Sequence, residues 1–329
     1  MPLRRARLPR HHAGAEAALK ERGMAGHALH WNAQALWQEL EPLLPGLSVE
    51  VVAHTASTNS ALLARARIGL AGHAEDGTPF GRRAADLQPC LLVAEHQTGG
   101  RGRLGKSWQS APGASLTFSL SLPLACSDGS GLSLAVGVAL AQALDAAPPG
   151  APLAAHRIGI KWPNDLWLMD TPPPNAATDA APLGRKLGGI LIEAVNAGPC
   201  RLAVVGIGLN VLPLPDAAES AASGIASLHE IDPQASAPRA LAQVALPLVE
   251  ALRCFEREGF TSFAVGYAAR DLLFGRRVQT TLSGTPEGIA RGVTSQGALR
   301  LQTAHGMATI ASGEVSVRVS DRPTAPAPC

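Results

Sequence analysis

Gly99-Gly-Arg-Gly-Arg-Leu-Gly-Lys-Ser-Trp108 packs four glycines, two arginines and one lysine into ten residues. Glycine lets backbone approach a ligand closely and accepts positive φ. The guanidinium of arginine presents a planar fork of donors that matches a carboxylate or a phosphate. The stretch therefore predicts a loop that wraps an anion. A second cluster, Lys161-Trp-Pro-Asn-Asp165, adds a compact ammonium and a carboxylate on a stiff Trp-Pro turn. The chain holds 28 Lys+Arg but only four lysines, Lys20, Lys106, Lys161 and Lys186. Three of them lie in or beside motif segments. In a chain that otherwise uses arginine for charge, such lysines point to a need for a point charge.

The bulk numbers bound the class. With 329 residues, 46% apolar and 16% charged, the chain can hold a large core and more than one domain. A net charge of +2 gives no support to bulk nucleic-acid binding, which shows as a strongly basic surface. The five cysteines (Cys90, Cys126, Cys200, Cys254, Cys329) are scattered, without a Cys-x-x-Cys pair. That distribution reads as a reduced, cytoplasmic protein with no disulfide framework and no zinc site. No metal-ligand set is assigned. No run reaches the ~18–20 apolar residues of a membrane span, so no membrane partner is expected. Arg4, Arg5, Arg7 and Arg10 lack the apolar core of a secretory signal. Residues 1–30 read as a disordered basic tail, with Met24 as a candidate start.

Periodicity orders the rest. Helices are expected over 31–44, Thr58 to Ile68 (capped by Ser57 or Thr58), Ser130 to Ala147, Pro238 to Glu258 and Phe260 to Leu272. Strands are expected at Ser48 to His54, Cys90 to Glu95, Ser115 to Leu122 and Arg157 to Trp162. Lys186 to Val195 and Arg201 to Val211 read as a hairpin. Lys161-Trp-Pro-Asn-Asp reads as a strand that ends in a proline turn, with Asp165 capping the next segment. Residues 72–88 and Leu214 to Ala226 read as loops, and Asp170 to Gly184 as an irregular insertion. After Gly275, five short runs separated by Gly-bearing turns predict a small closed β-barrel. The domain expectation is 31–272 for a catalytic region, 273–320 for the barrel and 321–329 for a disordered tail.

Gly100 to Gly105 matches Gly-x-Gly-x-x-Gly, yet a dinucleotide fingerprint needs a helix to start inside it. Here Lys106-Ser-Trp-Gln-Ser-Ala-Pro112-Gly113 comes next, which cannot run on as a helix. No acidic residue ends a strand some twenty residues later, and a Walker A loop is absent. What does fit is an ordered set: Ser57-Thr-Asn59, Glu95-His-Gln97, Gly100-Arg-Gly-Arg-Leu-Gly105 with Trp108, Lys161-Trp-Pro-Asn-Asp-Leu166, Lys186-Leu-Gly-Gly-Ile-Leu-Ile-Glu193 and Gly206-Ile-Gly-Leu-Asn210. Gly275-Arg, Gly297-Ala-Leu and Gly313-Glu-Val close it. Over residues 48–320 this set resembles the biotin protein ligases.

The resemblance implies an α/β (α+β) fold: the mixed-sheet core shared with class II aminoacyl-tRNA synthetases, plus a C-terminal SH3-like β-barrel. It implies that biotin and ATP give biotinyl-5′-AMP and that biotin then passes to a lysine of a biotin carboxyl carrier protein. Mg²⁺ is implied as an ion carried by ATP. Ser57, Thr58, Asn59 and Gln97 are implied to bind the biotin head. Arg101, Gly102 and Arg103 would cover carboxylate and phosphate. Lys161 would touch both reacting groups, with Arg101 and Arg103 as its catalytic companions. Arg103, Trp108, Asn164, Lys186 and Asn210 would face the nucleotide, and Leu212 to Gly224 would close over the adenylate. A homodimer is compatible with the family. The chain departs from some members in three ways. The 47 residues before Ser48 do not hold a winged helix-turn-helix, so a monofunctional enzyme without DNA partner is expected. The 170–184 insertion is long, and Ile225 stands where some relatives place Trp. Two rivals are a lipoate or octanoate ligase of the same fold, expected to lack the arginine-rich loop, and a non-catalytic biotin-responsive regulator.

Overall fold

A computed structural model of the chain describes residues 29–71, 87–125, 128–146, 157–170, 184–197, 200–214, 224–285, 287–311 and 317–319. The basic tail up to residue 28, most of the 72–88 loop, the interior of the 170–184 insertion, residues 215–223 and the 321–329 tail lie outside them. The chain divides into residues 1–31 and 32–329, and the second unit carries the fold.

Helix α1 spans Ala33–Leu40. The expected helix ran to residue 44, but Pro42 and Pro45 have no N–H to continue the helical hydrogen bonds, and the chain continues in turns. Strand β1 (Ser48–Thr55) leads to α2 (Thr58–Ala71). Ser57 is the cap: its Oγ accepts from Ser60 N at 3.4 Å, supplying a partner for an orphan N–H of the first turn. Strand β2 (Cys90–Gln97) follows, then a two-rung hairpin of β3 (Gly100–Arg101) and β4 (Ser107–Trp108). Strand β5 (Ser115–Pro123) and α3 (Leu132–Leu144) come next. β6 (Ile158–Lys161) and β7 (Asp165–Leu168) pair antiparallel. The proline turn is therefore the tip of a hairpin, and Asp165 opens a strand where the sequence suggested a cap. β8 (Arg185–Ala197) and β9 (Cys200–Asn210) form the expected long hairpin.

These seven strands make one mixed sheet in the order β1-β2-β5-β9-β8-β7-β6, with β1 and β2 parallel. β5 is buried on both faces, and its sequence says which face is which. Ser115, Thr117, Ser119 and Ser121 alternate with Leu116, Phe118, Leu120 and Leu122, and period 2 sends the two sets to opposite sides. The small polar set faces α2, since Ser119 Oγ donates to Thr58 Oγ1 at 2.6 Å. On that side Leu62 and Leu63 pack on Cys90, Leu92 and Val204. The other face is covered by α3, whose Gly137 sits against Ile160 and Ile190, and by α4 (Ala237–Glu258).

The expected helix over 260–272 is instead a 3-10 turn (Gly259–Phe263) and a short α5 (Ala264–Ala268). It stops there because the next residues bond to the sheet: Ile160 N donates to Arg270 O at 2.7 Å and Leu272 N to Ile160 O at 3.1 Å. The remaining strands, β10 (Arg277–Thr280), β11 (Glu287–Val293), β12 (Leu299–Thr303), β13 (Gly306–Ile310) and β14 (Val317–Val319), form a separate antiparallel sheet in the order β13-β12-β11-β10-β14. Among the described residues no ladder joins its two edges. No helix among them is long and apolar enough to cross a membrane.

The edge of the large sheet is fastened by a buried ion pair. Arg270 Nη1 lies 2.8 Å from Asp145 Oδ2, with the two side chains 3% and 12% exposed. Asp145 Oδ2 also accepts from Arg157 N and Ile158 N. Burial pushes this carboxyl up, but the Ile158 amide and the Arg270 guanidinium outweigh it and hold the pKa below the ordinary 3.8. A depressed folded-state pKa means stability that is present above the unfolded pKa and lost as pH falls through the folded one. Asp145→Asn leaves Arg270 buried without its counter-charge and should cost about 3 kcal/mol in urea unfolding at pH 7. The gap to wild type should narrow below about pH 4; a gap independent of pH would contradict the assignment.

Candidate active site

Directly paired residues on neighbouring strands point to the same face of a sheet. On the α2 face, one row across the sheet reads Leu92, Ser119, Gly206, Leu191. The next row reads Ala94, Thr117, Gly208, Gly189, Asp165, Lys161. The second row is a strip of small side chains that ends in a carboxylate and an ammonium. Two side chains from outside the sheet lie on these rows, one on each. Asn59 rests over Gly206, where a Cβ would collide with its Oδ1. The Trp108 ring rests over Gly208, where a Cβ would come within 2.5 Å of Cε2.

At one end stands a polar cluster of amides and hydroxyls with one carboxylate, Glu193. Ser57, Thr58 and Asn59 are buried because the chain passes straight from β1 into α2 under the sheet face. Gln97 Oε1 accepts from Thr58 N at 2.7 Å and from Thr58 Oγ1 at 3.1 Å. Ser119 Oγ meets Asn59 Oδ1 at 2.6 Å. Asn59 Nδ2 donates to Leu191 O at 3.1 Å and to Glu193 Oε2 at 2.9 Å. Five side chains, Gln97, Thr58, Ser119, Asn59 and Glu193, thus fix one another's orientation. Ser57 takes part only through its cap.

At the other end the cations gather. The β3–β4 hairpin carries Arg101, Gly102 and Arg103 outward, closed by Gly102 N donating to Lys106 O at 2.7 Å. Its tip holds Leu104 at φ 57°, a left-handed conformation uncommon outside glycine. Arg101 stands apart from the other cations: it reaches back to the polar cluster and pairs at 3.5 Å with Glu193, the carboxylate that also accepts from Asn59. Arg103 Nη1 donates to Asn164 Oδ1 at 3.3 Å, and Asn164 Nδ2 donates to Ile190 O at 2.8 Å. Lys161 Nζ lies 4.5 Å from the centroid of the Trp167 ring, a cation–π contact. Lys186 Nζ bonds Asp165 Oδ1 at 2.8 Å and lies 5.9 Å from the Trp108 ring. Asn210 Nδ2 donates to Lys186 O at 3.3 Å. Trp108 Nε1 is buried and has no acceptor among the described residues. Burial lowers the pKa of Lys161, with Lys186, Lys106 and Arg318 adding to the fall and Asp165 opposing it. Burial also lowers that of Arg103, again against Asp165. Cations held in partial burial beside one another attract an anion more strongly than solvated ones do.

Thr58, Asn59 and Gln97 thus meet in one cluster, and Arg103 and Asn164 meet in another with Lys161, Lys186, Trp108 and Asn210 around it. Ser119, Glu193 and Asp165 belong to the same surface, and sequence reasoning does not single them out as site residues. For Ser119 the signal is its place in a buried strand with a small polar residue at every second position.

The comparisons with known proteins agree with this geometry. The model of the Biotin/lipoate A/B protein ligase family matches residues 86–210, and that of the Biotin protein ligase C terminal domain matches 273–318. The biotin–[acetyl-CoA-carboxylase] ligase of Mycobacterium tuberculosis is 31% identical over 274 residues, covering 81% of this chain and 88% of that protein. The bifunctional ligase/repressor BirA of Escherichia coli is 31% identical over 235 residues, covering 70% and 67%. Among solved structures, the biotin protein ligase from Aquifex aeolicus in complex with biotin and ATP shares the fold at TM-score 0.58 and 26% identity, covering 83% of this chain and 99% of that one. The chain belongs to the biotin protein ligases.

The Asp165 carboxylate favours the charged form of Lys161. Asp165→Asn should therefore lower the Lys161 pKa further. With four lysines in the chain, the resonances of reductively ¹³C-methylated lysines are few enough to assign by single Lys→Arg variants. A Lys161 titration that stays put or moves up in the variant would refute the coupling.

Proposed function

We propose that the protein activates biotin with ATP to biotinyl-5′-AMP and transfers biotin to a lysine of a biotin carboxyl carrier protein. One observation carries the reading: rows of glycine and small residues join a cluster of amides and hydroxyls, whose one carboxylate, Glu193, is paired with Arg101, to a cluster of cations. A biotin molecule has the same polarity, with a neutral ureido head at one end and a carboxylate at the other. The relatives are named for the same reaction.

On this reading Ser57, Thr58, Asn59 and Gln97 hold the head. Arg101, Gly102 and Arg103 cover the carboxylate and the α-phosphate, and Lys161 contacts both. Trp108, Asn164, Lys186 and Asn210, with Arg103, face the nucleotide. ATP brings Mg²⁺ as the ion of its phosphates. In the first step a biotin carboxylate oxygen bonds to the α-phosphorus as the bond to the bridging oxygen breaks, and pyrophosphate leaves with the electron pair. In the second, the deprotonated amine of the acceptor lysine attacks the acyl carbon and AMP departs. Both transition states concentrate negative charge, on phosphoryl oxygens and then on a carbonyl oxygen, so preplaced cations lower both barriers. Residues 31–272 form the catalytic part and 273–320 the C-terminal module of a cytoplasmic enzyme. The net charge of +2 favours an enzyme over a DNA-bound regulator.

Pyrophosphate release from ATP tests the reading. Release dependent on biotin, and not on lipoate or octanoate, is expected; dependence on either of the others would overturn it. Lys161→Ala should slow single-turnover adenylate formation by about 3–4 kcal/mol of barrier, with the fold retained by circular dichroism. Gly206→Ala pushes on Asn59, so it should weaken biotin binding by calorimetry about tenfold, or about 1.4 kcal/mol, and leave ATP binding nearly unchanged. Equal loss for both ligands would place Asn59 elsewhere than at the biotin head.

A further inference from the structure

Arg185 lies one residue before Lys186 and holds the densest ion-pair network among the described residues. Its Nε and Nη2 donate to Asp170 Oδ1 at 3.0 and 2.9 Å. Nη1 and Nη2 form a fork on Glu230, at 3.1 Å to Oε1 and 2.7 Å to Oε2. Nη1 also reaches Ile225 O at 3.4 Å. Glu230 is itself fixed, since its Oε1 accepts from Ser227 N at 2.9 Å in a capping box. A planar fork on a carboxylate is directional as well as attractive.

The segment held in this way runs beside the nucleotide-facing residues. Lys186 N donates to Gly224 O at 3.3 Å, and Ala226 N to Lys186 O at 2.9 Å. The same Lys186 carbonyl accepts from Asn210 Nδ2. One residue past Asn210, Val211 O accepts from His229 N at 3.0 Å. Gly224 to Glu230 is thus laid along Lys186 and Asn210 by backbone bonds, and Arg185 is the side chain that clamps its far end. The Thr58–Asn59 cluster is tied elsewhere: Thr58 bonds Gln97, and Asn59 bonds Leu191 and Glu193.

We propose that Arg185 is a positioning residue for the nucleotide end of the site: through Glu230 and Ile225 it holds Gly224 to Glu230 against Lys186 and Asn210. This rests on the functional reading above, which puts Lys186 and Asn210 at ATP. Arg185, Asp170 and Glu230 are each about a third exposed, and ion pairs with that much solvent contribute little to stability. Loss of the clamp therefore shows in ligand handling before it shows in folding.

The experiment compares wild type, Arg185→Met, Glu230→Gln and Asp170→Asn in biotin-dependent pyrophosphate release, with ATP and biotin varied in turn. Biotin affinity without ATP and thermal melting are measured beside it. Arg185→Met keeps the alkyl stem, and Glu230→Gln opens the fork from the other side. Both should raise the KM for ATP about tenfold while kcat changes less, the pattern of weakened ground-state binding. Biotin affinity should stay within about twofold. Asp170→Asn touches Arg185 away from the clamped segment and should leave the KM for ATP within about twofold of wild type. An unchanged KM for ATP in both clamp variants overturns the proposal. So does a fall in biotin affinity in step with ATP and melting temperature, which would make Arg185 a general structural residue. Absence of biotin-dependent release in the wild-type protein overturns the functional reading itself and this inference with it.

Discussion

Everything in the site depends on a strip of sheet with almost nothing on it. Gly206 and Gly208 are two apart on β9, so they share a face, and the residues paired with them are Ser119, Thr117, Leu191 and Gly189. Only because Gly206 and Gly208 lack a Cβ can Asn59 and the Trp108 ring lie on the strand itself. A glycine inside a strand weakens it by removing packing and adding unfolded-state entropy. Here the loss is offset on the other face, where Val205, Ile207 and Leu209 are buried. The strand is stable from beneath and leaves room above for Asn59 and Trp108.

The Lys161 hairpin shows the same economy. Its turn is bonded on three sides. Asn164 O and Nδ2 pair with the backbone of Ile190. Ser133 Oγ, from the first turn of α3, donates to Pro163 O at 2.9 Å. Trp162 Nε1 donates to Gly297 O at 3.0 Å, so the C-terminal sheet holds the residue next to Lys161. A lysine on a flexible stem loses entropy on ordering; one next to a turn fixed on three sides and whose ammonium sits over Trp167 has less left to lose when a ligand arrives.

Much of this is legible in the sequence, for reasons that differ by residue. The Leu/Ser alternation of 115–122 and the apolar run 90–94 declare strands through local patterns. The ordered motifs from Ser57 to Asn210 declare the family. Strand Asp165–Leu168 escapes a sequence reading because a proline turn with a carboxylate after it reads equally well as a helix cap, and only the pairing of Lys161 with Asp165 decides. The short hairpin 100–108 is hidden by glycine, which carries no strand preference. Ser119, Glu193 and Asp165 join the site through register between strands distant in sequence, and an alternating pattern fixes the face of a residue but not its cross-strand neighbour. The tails and the interior of the insertion lie outside the described residues.

The charges follow from the same register. The Asp165–Lys161 row places a carboxylate between two lysines, since Lys186 also bonds Asp165. Arg101 has Glu193, and Arg103 has the Asn164 amide. A cluster of like charges in partial burial would otherwise be costly. Asp165, an amide oxygen and an indole face relieve the strain without neutralising the cluster: Arg103, Lys106, Lys161 and Lys186 stand against Asp165, while Arg101 is paired with Glu193. On the proposed reading, an incoming carboxylate and triphosphate would meet that residual positive charge in place of water. Lys161 and Arg103 have as partners an indole face and an amide oxygen, each weaker than an ion pair. Weak partners are the better choice here, since an anion gains affinity only by the difference between its own contacts and those it replaces.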